Sequence, residues 1–465
     1  MKMRTETDSL GEIKVPAERL WGAQAQRSLE NFAIGSEKMP REVIYALAFI
    51  KKAAALANCE LGSLPEDKKT WIASACDRIL DGSCDFEFPL SVWQTGSGTQ
   101  TNMNVNEVIS NLCCLEAKTT LGSKKPVHPN DDINMSQSSN DVFPAAMHIA
   151  SYLLVKQKLL PALNFFLQEL KQKATQFSDI IKVGRTHLMD AAPLTLGQEF
   201  SGYATQIEQA LEAIEKELPS LAELPLGATA VGTGLNAHPQ FGKKAVEQLA
   251  HFTNMPFELS QNHFAALAAH DALVSFSGAL KRLACALMKI ANDVRWMASG
   301  PRAGLAELFL PANEPGSSIM PGKVNPTQCE AMTMVAVQVL GNDAAVSFAG
   351  ASGNFELNVF KPLIIFNILQ SIHLLSDAMQ SFCAKCLVGL KPNCKKINHD
   401  LTHSLMLATA LNRAIGYDSA SKIVKKAFEE DLSLKEAAVS LKILSSEQFD
   451  SLIDPSSMVK NIETS

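Results

Sequence analysis

A surplus of either charge is missing from this 465-residue chain: 42 Lys and Arg face 48 Asp and Glu, for a net charge of −6. That balance gives no reason to expect nucleic acid or an anionic membrane as partner. Aromatic residues are scarce, at 6%. Ala, Leu, Glu, Lys and Met fill the long segments instead, which favours helix over sheet. No window approaches 18 uninterrupted apolar residues, so no membrane span is expected. The first eight residues, Met1 to Asp8, lack an apolar run and carry two acids, which argues against a signal or transit peptide. Ten cysteines are scattered and include the adjacent pair Cys113-Cys114, unlike a secreted disulfide framework. A reducing cytoplasm is the expected compartment.

What the chain does contain is core material, 46% apolar residues, enough for two to four domains at this length. Residues 1 to about 40 read as irregular. Helical spacing covers 41–59 and 66–80, a break follows at 89–98, and a helix runs from about Asn102 to about Leu112. The polar stretch 118–139 reads as an irregular domain edge. Long helical patterns then recur over 160–170, 206–221 and 265–297, the last broken only at Gly278. Residues 332–340 and 363–375 are apolar almost all round, so such helices must be buried on every side. A bundle whose core continues into neighbouring subunits satisfies that, as does burial inside a large monomer. Shorter, more charged helices follow at 401–415, 420–430 and 433–441. The expected domains are 1–139, 140–393 and 394–465.

Four polar stretches interrupt the helices. The loop Gly316 to Pro326 holds two hydroxyls, Ser317 and Ser318, one lysine, Lys323, and a helix start with Asn325 as N-cap, Pro326 at the first position and Gln328 at the reciprocal capping position. Such a loop suits an anion, and it also suits a plain connector. Thr95 to Asn104 brings glycines and hydroxyls, and Asn134 to Asp141 brings hydroxyls and amides at a helix start. Each of these also reads as ordinary capping. Gly184 to Asp190 places His187 in a short polar segment before the capped helix at Thr195 to Gln198. His187 is a candidate acid or base, with Glu330 as the carboxylate that fixes its tautomer. Cys383-Ala384-Lys385-Cys386, with Cys394 and His399, is a lone C-x-x-C without a second pair, weak ground for a metal or redox site.

Taken together, these stretches resemble the fumarase/aspartase superfamily, and within it the class II fumarase branch. The opening loop resembles the superfamily signature. Trp21 to Gln24, Arg27-Ser28, Ser97 to Thr99, Ser136 to Asp141, Gly184 to His187 and Gly232 to Asn236 match in order over essentially the whole chain. The resemblance implies an all-α, three-domain fold with a long central helix bundle that assembles into a tetrameric core, and active sites shared among three subunits. It implies reversible hydration of fumarate to L-malate in the tricarboxylic acid cycle through an aci-carboxylate, with neither metal nor cofactor. Ser317 would be the base, and His187 held by Glu330 would act on the oxygen side. Lys323 and Asn325, next to Val324, would bind the carboxylate that gains charge. Ser97, Gly98, Thr99, Ser138, Ser139, Asn140, Thr186 and Ser318 would hold the substrate. A second carboxylate site would lie near Lys125, His128, Pro129, Asn130 and Asp131, with Lys125 where related enzymes often have arginine. Aspartate ammonia-lyases carry glutamine at the counterpart of His187 and alanine at that of Gly322, so the branch favours water as the added group. An ammonia-lyase, another lyase of the superfamily and a non-catalytic protein on this scaffold are the alternatives.

Overall fold

The structure, a computed structural model, describes residues 2–459. Helices make the fold: α1 Ala23–Asn31, α2 Arg41–Glu60, α3 Glu66–Leu80, α4 Thr99–Glu116, α5 Ser139–Leu154, α6 Leu160–Gln176, α7 Leu196–Ala222, α8 Phe241–Thr253, α9 His263–Ala268, α10 Asp271–Met297, α11 Thr327–Gly350, α12 Lys361–Phe382 and α13 Cys394–His403, then short helices to Met458. Among the described residues strands occur only in pairs. β1 Met3–Asp8 meets β2 Gly11–Pro16, β3 Ile181–Thr186 meets β4 Met189–Thr195, and two shorter pairs join 223–224 to 258–259 and 308–309 to 391–392. The expected all-α architecture is what the chain adopts.

Two compact units divide the chain. One comprises Met1–Pro161, Ala210–Ala284 and Ala336–Ser376, the other Ala162–Gln209, Cys285–Val335 and Asp377–Ser465. In the first, α2 contacts α3, α5 and α8 along an alanine-rich face (Ala46, Ala53, Ala54 and Ala57 are buried), which lets the backbones approach closely. Polar pins set the register of the apolar helices there. Asn342 donates to Gln370 Oε1 at 2.9 Å and to Ser371 Oγ at 3.0 Å. Asp343 accepts from Ser277 at 2.8 Å and from Lys281 at 2.7 Å. In the second unit a core of Leu401, Leu411, Ile423, Ala437 and Phe449 takes in Val183 of β3.

Several elements differ from the sequence reading. Residues 1–40 contain a hairpin and a helix. The first strand has no apolar residue but Met3, and Ile13 and Val15 give the second an alternation only two residues deep, too short to betray a hairpin. They are fixed by side chains: Arg4 donates to the Pro16, Arg19 and Trp21 carbonyls, and Arg27 pairs with Asp8 at 2.7 Å. Gly278 does not interrupt α10, which runs unbroken from Asp271 to Met297. The break falls instead at 269–270, between α9 and α10. Asn325 is not the N-cap of α11: its amide nitrogen turns back to Gly316 O at 2.7 Å, and the helix starts at Thr327. Gln328 does no capping either, and accepts from Ser381 Oγ at 2.8 Å. Finally, α11 is apolar without being buried all round. Met334, Val337 and Phe348 are exposed, while Met332, Ala336, Val339 and Val346 are buried. By length and composition α11 and the helical run Lys361–Leu387 could each cross a membrane, a test that subunit-core helices also pass.

Candidate active site

In the first unit two motifs forty residues apart meet. Gly98 adopts φ +77° just before α4, and a side chain there would run into the Phe143 ring at 2.3 Å, so only glycine fits. The turn delivers Thr99 to the start of α5, where Thr99 Oγ1 and Ser139 Oγ lie 2.8 Å apart. Ser97 Oγ extends the chain of hydroxyls, 2.8 Å from Thr99 Oγ1. Ser138 caps α5 by accepting from Asn140 N at 3.2 Å, and Asp141 Oδ1 accepts from Ser138 N at 2.9 Å. Asn140 Nδ2 donates to Ala230 O at 2.8 Å. The result is a ridge of hydroxyls on two helix N-termini, a setting that binds a carboxylate without adding charge.

Two buried titratable groups lie beneath the ridge. Asp141 is fully buried, and its second oxygen accepts from Gly227 N at 3.1 Å and Thr229 N at 3.0 Å. Burial pushes its carboxyl up to about 7 against the pull of those N–H groups and of Lys51. Burial likewise brings the Lys51 ammonium down to about 7, with Asp141 opposing. Lys51 Nζ donates to Asn134 Oδ1 at 2.9 Å and Gln137 Oε1 at 3.0 Å. Asp141 closes one of the polar stretches noted in the sequence, whereas Lys51 did not stand out, because a lysine inside a helical pattern looks like any solvated one.

The second unit carries the remaining candidates. His187 and Leu188 form the two-residue turn between β3 and β4, with φ +59° and +61°, conformations usually supplied by Asn or Gly. The hairpin rests on a buried ionic network. Glu307 bridges Lys182 and Arg185 at 2.9 Å each, and Lys182 also reaches Glu199 at 2.7 Å. Thr186 and His187 are exposed at its tip, beside exposed Leu188 and Met189.

The loop before α11 closes on itself. Gly316 N donates to Lys323 O at 3.1 Å, and a side chain at Gly316 would strike that carbonyl at 2.1 Å. Inside this neck Ser317 Oγ accepts from two backbone N–H groups, Ile319 at 3.2 Å and Met320 at 3.1 Å. Ser318, Lys323, Val324 and Glu330 are exposed. No hydrogen bond joins His187 to Glu330 among the described residues. Thr99 with Ser138 to Asn140 sits in one unit, and His187, Ser317, Lys323 and Glu330 sit in the other.

Near the expected second carboxylate site a cavity of about 250 Å³ is lined by His128, Pro129, Asn130, Lys124, Glu6 and Glu107, among others. His128 Nδ1 accepts from Asn130 N at 3.2 Å and Asp131 N at 3.1 Å. Lys125 and Asp131 do not line this cavity; both are exposed. Lys124 does line it, donating to Thr7 O at 2.9 Å. Among the described residues no group of three or more His, Cys, Asp or Glu side chains could hold a metal ion, and all ten cysteines are free thiols.

Residues 11–341 match a family described as Lyase, and residues 407–460 one described as Fumarase C C-terminus. The class II fumarate hydratase of Thermosynechococcus vestitus is 62% identical over 96% of both chains. Those of Helicobacter pylori and Bacillus subtilis are 57% and 55% identical over 99% of both. Among solved structures, class II fumarase from Schistosoma mansoni superposes with a TM-score of 0.96 at 45% identity, covering 98% of this chain and 99% of that one. A fumarate lyase:delta crystallin from Brucella melitensis bound to cobalt gives 0.95 at 41%, covering 99% and 100%.

Proposed function

The chain belongs to the class II fumarate hydratase family and catalyses the reversible hydration of fumarate to L-malate, and we propose that Ser317, His187 and Lys323 carry the chemistry. In the dehydration direction a proton leaves carbon beside a carboxylate. The electron pair left behind moves into that carboxylate and makes a dianionic aci-carboxylate. Ser317 takes the proton as an alkoxide. A free hydroxyl is far too weak an acid for this, so the oxygen needs donors fixed in place beforehand. The observation that carries the reading is the pair of backbone N–H groups on Ser317 Oγ, in the same loop as the Lys323 ammonium. Closure of that loop over substrate would exclude water and strengthen both effects.

Lys323 and Asn325 take the carboxylate that gains charge. Thr99, Ser138, Ser139, Asn140 and Thr186 hold the substrate, with Ser97 and Ser318 beside them. The carbon–oxygen bond then breaks, and His187, through a water, gives the departing hydroxide its proton. Glu330 orients the imidazole. Within one chain the two share no hydrogen bond, so the pairing is assigned to neighbouring copies. The exposed apolar residues of α11 support a homotetramer whose active sites draw on three subunits. A cytoplasmic location and a place in the tricarboxylic acid cycle belong to the same reading.

Mixing purified protein with L-malate and following the fumarate double bond by ultraviolet absorbance tests the reading, with aspartate as control. Absorbance should rise with malate alone. A rise with aspartate, accompanied by ammonia, would make the chain an ammonia-lyase instead.

A further inference from the structure

We propose that Lys361 is the buried cation of the carboxylate site in the first unit, a positioning residue that pairs through space with the substrate carboxylate held by Thr99, Ser139 and Asn140. The proposal deepens the hydration reading and rests on it. Three helices begin at one place in this unit. The Thr99–Ser139 contact sets the start of α4 beside that of α5. The Lys361 N–H, in the first turn of α12, donates to Gly96 O at 3.1 Å. A side chain on Gly96 would come within 1.4 Å of Val359 O, so the chain entering α12 lies directly against the loop entering α4. Each first turn contributes positive potential.

That is a poor place for a cation. The helix end repels it, and burial strips its water. Lys361 is nonetheless completely buried, and its Nζ has no hydrogen-bond acceptor. Burial lowers its ammonium to about 8, and the carboxylate whose field opposes this is Asp141, in the first turn of α5. Asp141 already accepts from Ser138, Gly227 and Thr229 and shares its charge with Lys51. The buried histidines nearby, His148 and His270, are held neutral by burial. Two buried lysines, Lys51 and Lys361, thus share the field of one carboxylate, and Lys361 Nζ has no acceptor of its own. The missing negative charge is supplied by substrate.

Lys361→Met, a neutral side chain of similar length, tests this in the intact oligomer. KM for fumarate and for L-malate should rise at least about tenfold, the scale of one charge-assisted contact, while kcat changes less than about threefold. The ligand-free variant should melt no lower than wild type, because an unpaired buried charge has been removed. The rise in Tm that succinate gives the wild type should vanish. A variant that fails to fold, melts lower without ligand, or loses kcat with KM unchanged would make Lys361 a structural residue and overturn the proposal. Failure of the wild type itself to turn over malate would overturn the hydration reading instead.

Discussion

The ridge around Thr99 and Ser139 and the exposed elements around His187 and Ser317 are built on opposite plans. In the ridge every named polar side chain has a partner within its own unit, and the turn is fixed by a glycine no other residue could replace. The hairpin tip and the Gly316–Pro326 loop leave His187 and Lys323 exposed beside exposed Leu188, Met189, Ile319 and Met320, and Glu330 is exposed in the first turn of α11. Exposed apolar side chains beside chemically useful ones mark a surface made to be covered. One half of the proposed site is a finished floor, and the other half is exposed, as the proposed neighbouring copy requires.

The comparison can be broken most severely at the chemistry. Ser317→Ala and His187→Asn should each lower kcat by at least about a hundredfold while the oligomer persists, measured by malate turnover and light scattering. Near-native turnover in either variant would remove that residue from the mechanism. Val337→Glu, on the exposed face of α11, should come next: the oligomer dissociates in size-exclusion chromatography, and activity falls with it. A smaller effect is expected on the floor itself. Thr99→Val should raise KM for malate about tenfold by leaving Ser139 without its partner, with folding intact.

The smallest effect concerns stability alone. Burial raises the Glu107 carboxyl to about 7, against the N–H groups of Gln24, Ala25 and Gly22. Between pH 4.5 and 7 the native side chain keeps a proton that the unfolded chain has released. Its contribution to stability therefore falls as pH rises through that window. Glu107→Gln should flatten this part of the Tm profile, and a profile parallel to wild type would show that Glu107 does not shape it.

How much of this was legible beforehand follows the range of the interactions. Apolar spacing fixed the helices, because burial of one face is a local pattern. The capping box at Thr195 and Gln198 was equally local, and its two hydrogen bonds are present at 3.0 and 2.9 Å. The hairpin at β1 and β2 depends on Arg4 and Arg27 reaching residues up to 19 positions away, which periodicity does not register. Asn325 has the right residue type for a cap, yet a bond nine positions back to Gly316 claims its amide. The motif residues themselves stood out through their resemblance to the superfamily signature, since each stretch taken alone also reads as a connector or a cap. The turn conformation of His187 and the buried charges at Lys51, Asp141 and Lys361 did not, since their meaning lies in groups distant along the chain.

The most direct test of the shared-site account is complementation. Inactive His187→Asn and inactive Ser317→Ala chains are dissociated, mixed in equal amounts and allowed to reassemble. Sites that draw these two side chains from different copies should recover roughly a quarter of the native malate-to-fumarate rate, from those in which the Ser317→Ala chain supplies His187 and the His187→Asn chain supplies Ser317. A mixture that stays as inactive as its components, while forming hybrid oligomers, would place both groups in the same copy and contradict the account.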